Sequence, residues 1–370
     1  MDAFRRQTPS RFKGRGSGDN LPNRFKPIWF ETDDDCQDFE RPAPETRFFT
    51  DASKSILSTN DSPDVGFDAS LNPYRGCEHG CVYCFARPTH EYFELSAGLD
   101  FETKILVKEN APELLERELD SPRWKPRVVA LSGVTDCYQP GERKFRITRR
   151  CLEVLLKFRN PAFIVTKNRM VTRDIDLLRE LARFHCVAVY VSLTTLDAGL
   201  MRLLEPRASL PAHRLEAIRA LSSAGIPVGV LTAPMIPALN DHELPSLIER
   251  AARAGARFAG HVMLRLPRGV KELFARWLET HFPNKKEKVL NRIRAARGGN
   301  LNDPRFSSRM KGEGIFAEQI AAMFSLACRK AGIAGNGPEL TTDNFINNRN
   351  RQLSLFQPPL EKEIRQGIRV

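Results

Sequence analysis

The chain has 370 residues, 41% hydrophobic and 28% charged, and this ordinary globular mixture excludes a wholly disordered protein. No apolar run approaches the roughly 20 residues that a membrane helix needs. The start of the chain, over 1–13, is basic and polar and lacks the apolar stretch of a secretory signal. We therefore expect a cytoplasmic protein with no membrane span. The net charge of +12 suggests a polyanionic partner.

The first 60 residues predict a flexible tail, basic at first and then acidic, because they show no sustained apolar period. Beyond them, short apolar runs alternate with amphipathic helical patterns. The runs predict strands at 65–71, 127–133, 162–167, 186–193, 227–233 and 258–265. The helical patterns lie at 147–158, 172–184, 211–224, 241–254 and 269–281. This alternation indicates an α/β protein with a parallel sheet of βα units, over 61–282.

Residues 283–345 predict a basic helical extension, with a Gly- and Arg-rich loop at 298–314 and an amphipathic helix at 314–331. Arginines on a helix and a glycine-rich loop can follow phosphates, whereas a solvated charged helix is the simpler interpretation. The candidate nucleic-acid residues are Arg292, Arg294, Arg297, Arg305, Arg309 and Lys311. Residues 346–370 predict a second flexible tail.

Three cysteines, Cys77, Cys81 and Cys84, stand close together after the first predicted strand, in the pattern C-x3-C-x2-C. A structural zinc site needs four ligands, and His79 or His90 could supply the fourth. A [4Fe–4S] cluster that is held by three thiolates keeps one iron with an open coordination position. The ligand count therefore favours an iron–sulfur cluster as the group that these three cysteines bind.

The string GCEHGCVYC resembles the signature of the radical S-adenosylmethionine (radical SAM) superfamily. The resemblance implies a partial (βα)6 TIM-like barrel and two cofactors, a [4Fe–4S] cluster and S-adenosylmethionine. It also implies that the cluster cleaves S-adenosylmethionine to a 5′-deoxyadenosyl radical and that a reductant protein supplies the electron. In the family, the segment around Tyr83 contacts the adenine.

Other cofactor residues are expected at the strand ends. The family often has Gly-Gly-Glu after the second strand, where this chain has Thr135 and Asp136 as candidates for the amine contact. Ser192 and Arg202 match a serine and an arginine that touch the cofactor ribose and carboxylate in related enzymes. The simpler alternative is that Ser192 ends a strand and Arg202 is a solvated helix residue.

The segments NPYRGCEHGCVYCFAR, SGVTDCYQP and PMIPALND, within about 70–241, resemble the spore photoproduct lyase-like DNA-repair branch, in its uncharacterised subgroup. That resemblance implies a lyase-type enzyme acting on a DNA lesion, with a cysteine as hydrogen donor. Cys137 is the candidate donor, against the simpler reading of a small apolar loop cysteine. Two alternatives stay open: modification of RNA, a peptide or a small molecule, and a non-catalytic, metal-stabilised nucleic-acid adaptor.

The string QLSLF resembles the short peptide by which bacterial replication and repair proteins dock on the DNA sliding clamp. Its residues are Gln352, Leu353, Leu355 and Phe356 within a polar segment, where apolar side chains need a partner's pocket. Alternatively, they pack on this protein's own core.

Overall fold

The computed structural model describes residues 12–25 and 43–347, which contain two sheets surrounded by helices. The strands are β1 (Arg47–Thr50), β2 (Leu57–Thr59), β3 (Ala69–Leu71), β4 (Tyr74–Arg75), β5 (Lys104–Val107), β6 (Val129–Leu131), β7 (Ala162–Thr166), β8 (Val187–Ser192), β9 (Val228–Met235) and β10 (Phe258–Met263). The helices are α1 (Leu99–Thr103), α2 (Ala111–Leu119), α3 (Glu142–Phe145), α4 (Ile147–Phe158), α5 (Ile175–Arg183), α6 (Ala198–Leu204), α7 (Pro211–Ser223), α8 (Leu244–Arg253), α9 (Val270–His281), α10 (Pro283–Ala295), α11 (Ser308–Lys311) and α12 (Gly314–Ala331). Short 3-10 helices cover Arg87–Phe93, Arg169–Asp174 and Asp241–Glu243.

The larger sheet has the order β10-β9-β8-β7-β6-β3-β2 and forms the barrel wall. Its strands from β3 to β10 are parallel, and β2 pairs antiparallel with β3 at one edge. The strands are largely buried because α4, α5, α7 and α8 cross over between them and cover one face with apolar side chains. All six predicted strands are present, with ends displaced by up to four residues. The predicted partial (βα)6 barrel is confirmed.

The smaller sheet has the order β1-β5-β4, and its strand β1 lies in the region that the sequence predicted as a tail. β1 pairs parallel with β5, and β4 pairs antiparallel with β5. Residues 12–25 also pack on the body of the protein through hydrogen bonds between side chains and distant backbone groups. The expectation of a tail over 1–60 therefore differs from the structure at 12–25 and 43–60, where pairing partners far along the chain order the segment.

The C-terminal extension packs back onto the barrel. α10 contacts α9, and α12 contacts α8 and β10. Val289, Leu290 and Ile293 of α10 are buried, as are Ile320 and Phe324 of α12. The extension therefore shares the hydrophobic core of the barrel. Within the described ranges, the helices are all too short or too polar to cross a membrane.

Candidate iron–sulfur and cofactor site

The three cysteines of the motif lie on one loop directly after β4, which we call the cluster loop (residues 76–84). The backbone amide of Gly80 donates to the carbonyl of Cys77 at 3.3 Å, and that of Cys84 donates to the carbonyl of Cys81 at 3.2 Å. Gly80 has a φ of +66°, and a Cβ at this position would lie 2.6 Å from Oε2 of Glu102. Glycine is therefore required for the tight turn that brings the cysteines together.

The three thiols fit a group that binds thiolates. All three are free, Cys77 and Cys81 are buried and Cys84 is half-buried. Burial raises the pKa of each thiol, and the neighbouring cysteines raise the pKa of Cys77 further. Bound metal favours the deprotonated form, which would reverse this electrostatic cost.

The described residues do not form a four-ligand zinc site. In the part of the chain that the structure describes, no three His, Cys, Asp or Glu side chains converge as the ligands of one ion do. The histidines that could complete a zinc site have other contacts. Nε2 of His90 lies 2.9 Å from the carbonyl oxygen of Lys104. The ring of His79 lies between Asn168, at 3.2 Å, and Asp136, at 3.3 Å.

A buried ion pair between Arg87 and Glu102 holds the cluster loop, and the sequence analysis did not identify it. Both side chains are 0% exposed, and Arg87 Nη2 lies 2.5 Å from Glu102 Oε1. Arg87 also donates to the carbonyls of Cys81, at 2.9 Å, and Gly80, at 3.2 Å. A fully partnered buried guanidinium of this kind fixes the backbone on either side of the second cysteine, Cys81.

Residues 12–25, which we call the strap, close over the cluster loop. The amides of Gly16 and Ser17 donate to the Glu102 carboxylate at 2.9 and 2.8 Å. A Cβ on Gly16 would lie 1.7 Å from the carbonyl oxygen of Gly80, so the two backbones touch. Arg15 fastens the strap further by donating to the carbonyl of Glu102 at 3.1 Å. The strap therefore shields one side of the cysteine loop from solvent.

A second buried charge cluster, centred on Glu205, lies beside the cluster loop at the strand ends. Glu205 pairs with Arg214 and, at 3.2 Å, with Lys167, and it accepts hydrogen bonds from Tyr83 and Thr194. Burial alone would raise the pKa of Glu205, but the positive charges of Arg214 and Lys167 hold it below its usual range. Tyr83 is thereby fixed next to the cysteines, and its contact with adenine stays a prediction.

Ser192 lies in the same cluster, at the end of β8. Its hydroxyl accepts a hydrogen bond from Lys167 Nζ at 2.7 Å, and its carbonyl accepts one from Arg214 at 2.9 Å. The Lys167 side chain is 17% exposed, so its ammonium keeps some access to solvent. Arg202 is exposed on α6, and the structure gives it no hydrogen bond or ion pair within the described residues. The two predicted residues are therefore not brought into contact.

Asp136 organises the strand ends through its hydrogen bonds. Its carboxylate accepts from the backbone amides of Tyr138 and Lys167, at 2.9 and 2.8 Å, and from the Thr166 hydroxyl at 2.8 Å. Burial would raise its pKa, yet His79 and these hydrogen bonds lower it below the usual value. Asp136 thus connects the loops after β6 and β7 to the cluster loop.

Thr135 is also engaged within the protein. Its hydroxyl donates to the carbonyl of Tyr74 at 2.6 Å, and its amide donates to Asn72 at 3.3 Å. Both predicted amine-binding residues therefore have structural hydrogen bonds, and the amine contact stays a prediction.

Cys137 is not an accessible thiol. It is 0% exposed and belongs to the main hydrophobic core, and burial strongly raises its pKa. Its amide and carbonyl are bonded to Ser132, at 2.7 Å, and Thr148, at 2.6 Å. This burial corrects the expectation of an accessible thiol at the barrel mouth, and the role of Cys137 as hydrogen donor stays a prediction. The alternative of a small apolar loop cysteine describes the structure.

Three arginines of the predicted nucleic-acid set have partners in the protein. Arg297 is buried and donates to the carbonyls of Met263, Leu264 and Ser308 at 2.6–3.2 Å, which corrects its assignment as a phosphate ligand. Arg305 pairs with two carboxylates, Asp303 at 2.8 Å and Glu313 at 3.0 Å. Arg309 pairs with Asp64. Of these three arginines, Arg305 and Arg309 are therefore paired with carboxylates of the protein, whereas Arg297 is buried against neutral carbonyls.

The remaining candidates are closer to solvent. Arg292 is half-buried, 3.7 Å from Asp241, and lies over the ring of Phe316. Arg294 bonds only to the side chain of Asn291 among the contacts of the described residues, and Lys311 is exposed. These residues stay candidates for phosphate contact. The clamp-peptide residues Gln352, Leu353, Leu355 and Phe356 lie outside the described residues.

Sequence and structure comparisons agree on the class of protein. Residues 71–251 match the family model of the Radical SAM superfamily. An uncharacterized protein of Mycobacterium tuberculosis is 37% identical over 219 residues, 59% of this chain and 64% of that protein. An uncharacterized protein of Methanocaldococcus jannaschii is 28% identical over 239 residues, 65% of this chain and 86% of that protein. The match spans less than two thirds of the length of the mycobacterial relative.

A solved structure shows the same fold. Spore photoproduct lyase in complex with dinucleoside spore photoproduct is similar with a TM-score of 0.54 and 15% identity, over 76% of this chain and 78% of that chain.

Together these observations define an α/β barrel with a three-cysteine iron–sulfur loop at the strand ends. Residues 71–251 of the chain form a radical SAM domain. Members of this superfamily use a [4Fe–4S] cluster and S-adenosylmethionine, which are the two cofactors that the sequence predicts.

Proposed function

We propose that this chain is a radical SAM enzyme that acts on DNA and repairs a lesion by lyase-type chemistry. The observation that carries the proposal is the cluster loop, where Cys77, Cys81 and Cys84 lie on one loop beside the polar strand ends. These cysteines would hold a [4Fe–4S] cluster, which when bound would supply the electron for cleavage of S-adenosylmethionine to a 5′-deoxyadenosyl radical. A reductant protein is the proposed source of that electron.

The protein's own groups prepare the site for this chemistry. Lys167 and Ser192 present an ammonium and a hydroxyl at adjacent strand ends, next to Cys81. They offer a charged and a neutral polar contact for the carboxylate and ribose of the cofactor. Glu205 and Arg214 hold these groups in place, and the strap excludes water from the far side of the loop.

Two observations support DNA as the substrate. The fold is that of spore photoproduct lyase, which was solved with a dinucleoside photoproduct. The chain also carries a net charge of +12, which favours a polyanion. The competing functions are modification of RNA, a peptide or a small molecule, and a non-catalytic adaptor.

The test is formation of 5′-deoxyadenosine by the anaerobically reconstituted, chemically reduced protein, with and without ultraviolet-irradiated DNA. We expect formation that irradiated DNA stimulates and that Cys81→Ala abolishes. The matched control is Cys328→Ala, which removes a buried thiol of α12 and should leave formation unchanged.

Each competing function gives a different result. Formation that ignores irradiated DNA but responds to RNA or a peptide would exclude the DNA lesion as substrate. One zinc ion per chain and no cleavage would favour the adaptor.

We also propose that residues 352–356 dock on the bacterial sliding clamp. Leu353, Leu355 and Phe356 supply the apolar side chains that such a groove takes. Deleting these five residues should abolish affinity for purified clamp while leaving 5′-deoxyadenosine formation unchanged. Unchanged clamp affinity would contradict this proposal.

A further inference from the structure

A continuous chain of contacts bridges the open side of the barrel. It begins at Phe85, which directly follows the last cysteine of the cluster loop. The guanidinium carbon of Arg265, just beyond β10, lies 5.1 Å from the centroid of the Phe85 ring. Nη1 of Arg265 lies 3.4 Å from the sulfur of Met310 on α11.

The bridge continues from α11 to the opposite edge of the main sheet. Arg309, next to Met310, pairs with Asp64, and Asp64 lies on the loop between β2 and β3. Asp64 also accepts a hydrogen bond from the Ser307 amide. Because β2 and β10 are the two edges of this sheet, the extension spans the gap between them. We call Phe85, Arg265, Phe306, Arg309 and Met310 the aromatic rim.

Two aromatic rings of the rim face solvent. Phe85 is 44% exposed and Phe306 is 55% exposed, which is unusual for side chains of this size. Each ring has an arginine against it. The guanidinium carbon of Arg309 lies 4.6 Å from the centroid of the Phe306 ring, in the same arrangement as Arg265 with Phe85. The arginine contacts thus hold Phe85 and Phe306 in place, while part of each ring stays exposed to solvent.

The rim also carries a positive charge that no carboxylate neutralises at close range. Arg309 is paired with Asp64, but Arg265 has no carboxylate within 4 Å in the part of the chain that the structure describes. Burial and the nearby Arg309 lower the pKa of Arg265, as expected for a cation next to another cation. The rim therefore combines exposed rings with a half-buried guanidinium that has no carboxylate within 4 Å among the described residues.

We propose that the aromatic rim binds unpaired bases and the adjoining phosphate of a DNA strand, next to the cluster loop. The inference rests on the DNA substrate proposed above and specifies how that substrate is held. Exposed rings and guanidinium planes are the groups on which unpaired bases stack. Within a duplex the base faces are already stacked, and an enzyme that reacts with a base must expose it.

The test is fluorescence anisotropy with the full-length, cluster-containing protein. The probe is a short fluorescein-labelled DNA oligonucleotide, either single-stranded or annealed to its complement. We expect the single strand to bind more tightly than the duplex. Phe306→Ala should weaken single-strand binding by about tenfold, the loss typical of one stacked base. Phe306 is remote in sequence from the cysteines, so this variant should keep its iron.

Two further variants separate stacking from charge. Phe85→Ala should also weaken single-strand binding by about tenfold. Arg265→Gln should reduce the slope of log affinity against log salt by about one, because one phosphate contact is lost. The matched controls are Phe49→Ala, an exposed ring on β1, and Arg253→Gln, an exposed arginine on α8. Neither control should change affinity.

Equal affinity of the wild type and Phe306→Ala for the single strand would overturn the inference, as would a preference for duplex or for the same sequence as RNA. These outcomes are distinguishable from failure of the proposed function, which is read from 5′-deoxyadenosine formation. If the protein cleaves S-adenosylmethionine but binds DNA independently of both rings, the proposed function would stand and the proposed role of the aromatic rim would be contradicted.

Discussion

The cluster loop with its strap and the basic block over 283–313 are both built around arginines, but they use the charge in opposite ways. In the first region, Arg87 is buried against Glu102 and against backbone carbonyls. In the second region, Arg305 is 63% exposed and pairs with Asp303 and Glu313. The buried charge fixes the shape of the cluster loop, whereas four of the nine cations of the basic block pair with carboxylates at or near the surface.

The difference shows that the charge of a segment is a poor measure of its function. The block carries nine basic residues and three acidic ones. Two further carboxylates from outside the block, Asp64 and Asp241, form ion pairs with its arginines. The cluster loop region looks ordinary in composition, and its charges hold the proposed cofactor site. Substitutions that remove a cation from each region can test this contrast.

The largest effect should come from Arg87→Met. Glu102 would keep its buried position without its cation, which costs about 3–5 kcal/mol in the free energy of unfolding. Urea unfolding and iron content per chain provide the measurement, and both should fall. Arg305→Gln is the control for an exposed pair, with an expected loss below about 1 kcal/mol. Similar losses for the two variants would contradict the contrast.

The next largest effect should be a pH dependence of the free energy of unfolding, caused by His90 close to the cluster loop. Burial is the main reason that the pKa of His90 is lowered to about 4. The unfolded chain takes up a proton near pH 6.5, and the folded chain resists it until about pH 4. This part of the stability is complete above pH 6.5 and is lost as the pH falls towards 4, amounting to about 3 kcal/mol.

Urea unfolding of the metal-free chain across this pH range provides the measurement. His90→Gln should reduce the slope of stability against pH. An identical slope in the variant would show that other groups cause the acid sensitivity.

Within the basic block, substitutions of Arg297 and Arg294 should have different effects on stability and on the salt dependence of DNA binding. Arg297→Gln removes donors to buried carbonyls, so we expect a loss of about 1–3 kcal/mol in the free energy of unfolding and no change in the salt dependence of DNA binding. Arg294→Gln should leave stability within about 0.5 kcal/mol and reduce the salt slope by about one. The reverse result would restore Arg297 as a phosphate ligand.

The smallest global effect should come from Gly16→Ala. The added methyl group would collide with the carbonyl oxygen of Gly80, so the strap should lift locally while the barrel stays folded. We expect faster hydrogen exchange at the amides of Gly16 and Ser17 and faster loss of iron in air. Gly335→Ala, where a Cβ meets open space, is the control. Unchanged exchange in Gly16→Ala would show that the strap does not depend on this contact.

The sequence predicts the parallel strands and the cysteine loop well because both depend on local patterns. Continuous apolar runs indicate strands that are covered on both faces, as in β8, and the C-x3-C-x2-C spacing lies within one turn. The strap and β1 were missed because their partners are distant: β1 pairs with β5, and Gly16 bonds to Glu102. A polar segment that is ordered by long-range hydrogen bonds has no apolar period to reveal it.

The positions of individual charges were also beyond the sequence. Nothing local separates Arg297, which is buried, from Arg294, which lies near the surface three residues earlier. In the same way, Glu205 directly follows α6, but its burial against Arg214 needs the folded barrel. Cys137 looked accessible because it follows a strand end, and the core closes over it.

The central claim is that the cluster loop holds a [4Fe–4S] cluster with one iron open to S-adenosylmethionine. The most direct measurement is iron content together with electron paramagnetic resonance of the reduced, reconstituted protein, before and after addition of S-adenosylmethionine. The account predicts about four irons per chain and a spectrum that changes when the cofactor is added. One zinc ion per chain, or a cluster whose spectrum ignores S-adenosylmethionine, would contradict it.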